Sequence, residues 1–146
     1  MVRLAQTLGR RILAMAATVS AHAYVDFIRL MSPELWPVFE RINETIFLSH
    51  PHAHVVGWPK QKILSFGFGP RKLSQHYLYI SIRRKYLNLG FYNGSTINDP
   101  TKLLEGNGKK LRHVKLRTVE DSLSPPVLAL IHDAILNFHA HPKTAA

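Results

Sequence analysis

The residues best suited to bind an anion lie in the connection between two predicted strands. This connection contains the consecutive residues Gly106, Asn107, Gly108, Lys109 and Lys110, and Arg112 lies two residues further on. Backbone amides of a glycine-containing turn can form an anion-binding concavity, which lysine and arginine side chains would complete with charge. The run is not a P-loop, because the G-x-x-x-x-G-K-[ST] spacing is absent and a strand follows. A flexible turn whose glycines supply positive φ is the alternative interpretation.

Aromatic residues of the neighbouring strands could form the walls of such a site. The predicted ligand-binding residues are Trp58, Tyr77 and Tyr92 as walls, Gly106 and Gly108 as amide donors, and Lys109, Lys110 and Arg112 as charges. Further aromatic residues interleave with cations in a pattern typical of a stacking platform for single-stranded nucleic acid. They are Tyr79, Tyr86 and Phe91, with Arg83, Arg84, Lys85 and Lys115. Because strand aromatics also serve core and cross-strand packing, nucleic acid is kept as an alternative ligand.

Two groups of alternating histidines could bind a transition metal. His50, His52 and His54 lie in HPHAH, and His139 and His141 lie in HAH. In an extended segment alternate residues project to the same side, where imidazoles can chelate a metal. His52 and His54 are therefore candidate metal ligands. The competing interpretation is a set of exposed loop histidines, in which case the chain has no cofactor.

The sequence offers little for covalent catalysis. The chain has no cysteine, which excludes disulfides, cysteine-ligated metal sites and a thiolate nucleophile. Neither Ser65, Ser74, Ser81 nor Ser95 lies in a G-x-S-x-G elbow. The sequence thus favours a binding domain over an enzyme.

Positive charge is concentrated in the middle of the chain. The net charge is +10 at pH 7, and 13 of the 19 Lys and Arg residues lie between residues 60 and 117. Asp99 and Glu105 are the only acids in that interval. We expect one face or edge of the predicted sheet to be strongly electropositive, with affinity for phosphates, nucleic acid or acidic partners.

The flanking segments predict helices that would hold this basic region in place. Ser32, Pro33 and Glu34 form a helix start, with a hydroxyl N-cap, proline in the first turn and an acid near the positive end of the dipole. Apolar residues then recur at helical spacing as far as His50. Ser124, Pro125 and Pro126 begin a second predicted helix in the same way.

Between the helices the hydrophobic period changes to two, which predicts strands over residues 62–68, 76–82, 86–92 and 111–118. In 76–82 the alternation places Tyr77, Tyr79 and Ser81 on one face of the strand. The order of elements predicts an α+β fold, in which an antiparallel sheet of about four or five strands is flanked by N-terminal and C-terminal helices. A chain of 146 residues suits one such domain.

The N-terminal segment resembles a secretory signal. Residues 1–23 contain three arginines, a short apolar run and Ala21-His22-Ala23, which has the small-residue pattern of a cleavage site. The apolar run is too short to span a membrane. The alternative is an N-terminal extension ahead of a domain that covers residues 24–140, with a tail at 141–146.

Three runs of residues carry a resemblance to a known family: GFGPRKLSQHYLYISI at 67–82, NLGFYNGS at 88–95 and DPTKLLEGNGKKLRHVKLR at 99–117, of which the last contains the most specific motif. They resemble the YdhG-like family, a mainly bacterial domain of unknown function. The likeness extends from about residue 24 to residue 138. It implies a small cytosolic domain with a frataxin-like helix–sheet–helix arrangement, and one branch of the family has been described as an iron chaperone.

Iron binding of the frataxin type depends on acidic surface residues, whereas this chain is basic. Where members of the family often have glutamates after the leading helix, this chain has His52, His54 and Val55. Residues 1–23 have no counterpart in the family, which favours the extension. We therefore expect a cytoplasmic, non-enzymatic domain that binds a small anionic molecule or an acidic protein partner. Metal carriage through the histidines, single-stranded nucleic-acid binding, and export if residues 1–23 are a genuine signal are the alternatives.

Overall fold

A computed structural model describes residues 26–140 of the chain, without the side chains of residues 72, 73, 139 and 140. The predicted signal or extension at 1–23, the side chain of His139, and residues 141–146, which include His141 and the predicted tail, therefore lie outside what the structure describes. Within residues 26–140, none of the helices combines the length and apolarity needed to cross a bilayer.

The described chain contains four α-helices and five strands after a short helical segment at residues 26–29. The helices are α1 (Trp36–Ser49), α2 (Lys72–Gln75), α3 (Val119–Leu123) and α4 (Pro125–Ala140). The strands are β1 (His54–Trp58), β2 (Ile63–Gly67), β3 (His76–Ile82), β4 (Leu87–Phe91) and β5 (Arg112–Leu116). All four predicted strands are present, and β1 is an additional one.

The strands form one antiparallel sheet in the order β1-β2-β3-β4-β5, so each strand pairs with the next along the chain. Apolar residues face each other across the strands in rows, as in Leu64, Ile80, Leu89 and Val114. With helices at the N-terminal and C-terminal sides of this sheet, the predicted α+β class is confirmed.

The core lies between one face of the sheet and the helices. Phe39, Ile42 and Ile46 of α1 are fully buried, at the helical spacing that the sequence shows. The Phe47 ring meets the Phe66 ring of β2 edge-on, with centroids 6.1 Å apart. Ile131 of α4 is also fully buried and belongs to the same core. We call this side of the sheet the helix-covered face.

The two predicted helix starts differ in outcome. Ser32 precedes a 3₁₀ turn at Pro33–Leu35, makes no capping hydrogen bond, and α1 begins only at Trp36. The second helix begins at Pro125 as predicted. Just before it, Thr118 and Asp121 form a capping box that starts α3.

The other side of the sheet, which we call the polar face, carries small and polar residues in its rows. One row contains Ser65, Tyr79, Gly90 and His113. Gly90 leaves room for the Tyr79 ring, since a Cβ atom on residue 90 would lie 2.0 Å from Tyr79 Cζ. Small residues thus permit aromatic side chains to lie across this face.

The sheet has two ends that both carry positive charge. In an antiparallel meander, successive connections alternate between the ends. The connections β1–β2 and β3–β4 form the turn end, which carries Lys60, Lys62, Arg83, Arg84 and Lys85. The connections β2–β3 and β4–β5 form the loop end, which carries Arg71, Lys102, Lys109 and Lys110. The cations are thus divided between the two ends, and the expectation that one face or edge is strongly electropositive stays a prediction.

Candidate functional site

The predicted glycine-rich connection is a closed hairpin loop at the loop end of the sheet. Glu105 N donates to His113 O at 2.7 Å, and His113 N donates to Glu105 O at 3.0 Å. Lys115 Nζ lies 3.5 Å from Glu105 Oε1 and joins the same two segments through their side chains. We call residues 105–113 the basic loop. Its base is fixed by the chain itself, which reduces the entropy that a ligand would have to remove.

Arg112 braces the basic loop from within. Its Nη1 donates to Gly108 O at 2.5 Å and to Leu111 O at 2.7 Å. The start of its side chain packs against Gly94, where an added Cβ would lie 2.4 Å from Arg112 Cβ. Arg112, predicted as a ligand-binding charge, thus also holds the loop in shape.

The two glycines of the loop have different roles. Gly106 has φ 121°, a conformation that favours glycine and that either a flexible turn or an anion-binding turn can use. Gly108 has open space where a Cβ would lie, with no heavy atom within 4 Å.

Lys109 and Lys110 are exposed and form no ion pair with another described residue. The two acids between residues 60 and 117 already interact with other residues of the chain. The Asp99 carboxylate accepts hydrogen bonds from Leu103 N at 3.0 Å and Leu104 N at 2.9 Å, and Glu105 pairs with Lys115. The positive charge at the tip of the loop is therefore not neutralised locally.

Tyr77, predicted as a wall, lies on the helix-covered face rather than beside Tyr79. Between Phe66 and Gly67 the register shifts, so that Gly67 pairs with His76 instead of Tyr77. This bulge turns Tyr77 into the core, where its Oη lies 2.7 Å from His50 Nδ1 and burial raises its pKa. It also lines a cavity of about 340 Å³ against α4, with Ile97, Ala134 and Phe138.

Trp58 and Tyr92, the other two predicted walls, both lie on the polar face. The Tyr92 and Tyr79 rings are 5.1 Å apart between centroids, and the Trp58 ring is 6.3 Å from that of His76. Tyr92 is also close in the sheet to the basic loop, because it follows Phe91, which pairs with Arg112. Of the predicted walls, Tyr92 is thus the one that the fold brings to the loop end on the polar face.

A hydrogen-bonded chain that sequence analysis missed runs through the polar face. Tyr92 Oη lies 2.9 Å from Ser65 Oγ, Ser65 Oγ lies 2.5 Å from His76 Nδ1, and His76 Nε2 lies 2.7 Å from Gly69 O. A carbonyl oxygen can only accept, so His76 Nε2 donates to Gly69. In the neutral imidazole Nδ1 then accepts from the Ser65 hydroxyl, and Tyr92 donates to Ser65.

The Ser65–His76 pair has the composition of a nucleophile and its base, but its surroundings give it a structural role. Ser65 is 0% exposed and His76 is 1% exposed, so a substrate has no path to the hydroxyl. A backbone carbonyl also stands where an orienting carboxylate would be expected. The pair joins β2 to β3 across the bulge.

Tyr92 makes stability depend on alkaline pH. Burial raises its pKa to about 12. The fold thus favours the neutral phenol. The preference for the neutral phenol contributes stability that is fully present below pH 10 and is lost as pH rises through about 12.

Urea denaturation of wild type and Tyr92→Phe across this range should show a smaller decline in the free energy of unfolding for the variant. An equal decline would contradict the assignment, since the other tyrosines are common to both proteins.

The predicted histidine ligands lie near the start of β1. His52 is exposed in the turn after α1, and His54 is half-buried at the first position of the strand, paired with Gly67. His50 Nδ1 is hydrogen-bonded to Tyr77 Oη. Among residues 26–140 no group of three or more His, Asp or Glu side chains could hold a metal ion. Metal binding by His52 and His54 stays a prediction.

The aromatic residues of the predicted nucleic-acid platform are divided between the two faces. Trp58, Tyr79 and Tyr92 lie on the polar face, whereas Tyr77 and Phe91 are buried in the core. The Tyr86 ring lies 5.6 Å from Lys115 Nζ and 5.3 Å from Arg117 Cζ, in cation–π contact with both. Stacking of bases on the polar face stays a prediction.

No family model, curated protein or solved structure matches this chain. Membership of the YdhG-like family accordingly remains an interpretation of the sequence runs quoted above.

Proposed function

We propose that this chain is a YdhG-like, non-enzymatic binding domain that holds an anionic molecule or an acidic protein partner at the basic loop. The observation that carries the proposal is a loop closed by Glu105 and His113 and braced by Arg112, with Lys109 and Lys110 exposed at its tip. A fixed cationic loop attracts an acidic surface and loses little conformational entropy when it binds.

The shape of the loop favours an acidic partner surface over an enclosed small molecule. Residues 105–111 are all exposed, and the space around Gly108 is open. Tyr77 is in the core, so any aromatic wall would come from Tyr92 on the polar face. A broad acidic surface can contact both lysines without needing a cavity.

Nucleic-acid binding and metal carriage are each supported by fewer contacts of the described residues than binding at the basic loop. Single-stranded nucleic acid is favoured by Trp58, Tyr79 and Tyr92, whose rings share the polar face. Metal carriage would depend on His52 and His54. Both alternatives remain predictions, and the basic loop is the leading candidate.

Removing the two lysines should weaken binding of an acidic probe. We expect Lys109→Ala/Lys110→Ala to raise the Kd for a fluorescent polyglutamate peptide about tenfold at low ionic strength, because exposed charge pairs are strongest there. Fluorescence anisotropy measures this directly, and a parallel titration with citrate tests a small anion.

The matched control is Arg83→Ala/Arg84→Ala, which removes the same charge at the turn end of the sheet. We expect it to change the Kd for the peptide less than threefold, because only the long-range field is altered. Equal weakening by both variants would mean that net charge, and not the basic loop, determines binding.

A further inference from the structure

A second basic site lies at the turn end of the sheet, opposite the basic loop. It is a depression of about 650 Å³ lined by four cations, Lys60, Lys62, Arg83 and Arg84, together with the polar side chains of Ser32 and Gln61. Ligand sites commonly have volumes of about 300–1,000 Å³, so the depression can hold more than a single phosphate.

The β1–β2 turn is built to present Lys62 in an unusual conformation. Lys62 has φ 56°, in the left-handed region that lysine rarely adopts. Its N–H donates to Pro59 O at 3.1 Å, and its carbonyl accepts from Ile82 N at 3.0 Å. The second bond ties this turn to the end of β3. Glycine or asparagine would suit the backbone better, which directs attention to the lysine side chain.

The β3–β4 turn supplies the two arginines and is held from both sides. Arg83 N donates to Tyr86 O at 3.0 Å, which closes the turn. Ser32 Oγ donates to Arg84 O at 3.5 Å and links the turn to the segment that precedes α1. Three separate segments of the chain thus converge on the depression.

The charge of the depression is not neutralised within the described chain. None of Lys60, Lys62, Arg83 or Arg84 forms an ion pair with a residue between 26 and 140. The two acids between residues 60 and 117, Asp99 and Glu105, lie in the β4–β5 connection at the loop end of the sheet. Four cations therefore surround one concavity that holds no carboxylate among its lining residues.

We propose that this depression binds an oligophosphate group, that is, two or more linked phosphates. All four cations are exposed, so each charge is screened and a singly charged anion would gain little from any one of them. A linked phosphate chain engages several at once. The guanidinium group of arginine can donate two hydrogen bonds to a pair of phosphate oxygens, and lysines add point charge. The site is separate from the basic loop and does not depend on its function.

Isothermal titration of the full chain at about 0.15 M ionic strength tests the proposal with inorganic tripolyphosphate, ATP and inorganic phosphate. We expect tripolyphosphate to bind at least tenfold more tightly than phosphate. Equal affinity for ATP would identify the phosphate chain as the whole determinant, and tighter binding of ATP would add a nucleoside contact; both support the site. Absence of tripolyphosphate binding overturns it.

Two variants locate the binding. Arg83→Ala/Arg84→Ala should weaken tripolyphosphate binding about tenfold, and Lys109→Ala/Lys110→Ala, with the same change in charge, less than twofold. Lys62→Gly should weaken it about threefold while the midpoint of urea denaturation stays unchanged or rises, because glycine suits the left-handed backbone. Equal weakening by the two double variants overturns the proposal, as does full affinity in Lys62→Gly and Arg83→Ala/Arg84→Ala. Polyglutamate binding, which tests the basic loop, can fail without affecting these results.

Discussion

Gly67→Ala should lower the free energy of unfolding by about 3 kcal/mol. A Cβ atom on residue 67 would lie 2.2 Å from Gln75 O and 2.6 Å from His76 Cα. Both are backbone atoms, so no side-chain rotation can relieve the overlap. The variant can form only if β2 and β3 separate at the bulge, which weakens the pairing that positions His76 and Tyr77. Urea denaturation followed by circular dichroism measures the loss.

The matched control for this prediction is Gly108→Ala in the basic loop. No heavy atom lies within 4 Å of the added Cβ, so the change in stability should stay within about 0.5 kcal/mol. A similar loss in both variants would show that glycine flexibility, and not the close approach at the bulge, determines the cost.

The fold class could be predicted because the period of apolar residues is clear in the long elements. The apolar stripe of α1 marks the residues that the structure buries, and Leu78, Ile80 and Ile82 of β3 are buried as their alternation predicts. β1 could not be identified in the same way. Its sequence, HVVGW, contains Gly57 and has only Val55 fully buried, so neither a clean alternation nor an apolar run marks it.

The position of Tyr77 could not be predicted, because it depends on a contact between distant backbone segments. The alternation of β3 assigns Tyr77 to the face of Tyr79, but the bulge at Gly67 shifts the register by one residue. The same shift brings His76 to Ser65, although the two residues are 11 positions apart. In the sequence, Gly67 is only a glycine near the end of the strand predicted at 62–68, and nothing there indicates a bulge.

The location of the charge follows from topology rather than from composition. The sequence shows that residues 60–117 are basic, but only the order of strands decides which cations meet. Lys62 and Arg84 are distant in sequence and line one depression, because the β1–β2 and β3–β4 turns lie at the same end of the meander. The basic loop was identified from the sequence because its residues are consecutive.

His76→Ala should lower the free energy of unfolding by about 3 kcal/mol, because the imidazole is the centre of the polar-face hydrogen bonds. Its loss leaves Gly69 O without that donor and the buried Ser65 hydroxyl without that acceptor, and opens a cavity beside Trp58. His52→Ala, which removes an exposed imidazole, should change stability by less than about 0.5 kcal/mol and serves as the control. Urea denaturation compares the two variants under the same conditions.

A double-mutant cycle separates the hydrogen-bonded chain from simple packing. Ser65→Ala alone should cost about 2 kcal/mol, since it leaves His76 Nδ1 buried without its hydroxyl donor. In the His76→Ala background that nitrogen is gone, so the same substitution should cost at least about 1 kcal/mol less. Additive losses would mean that the two side chains stabilise the sheet independently, and the Ser65–His76 pair would then not be what couples β2 to β3 across the bulge.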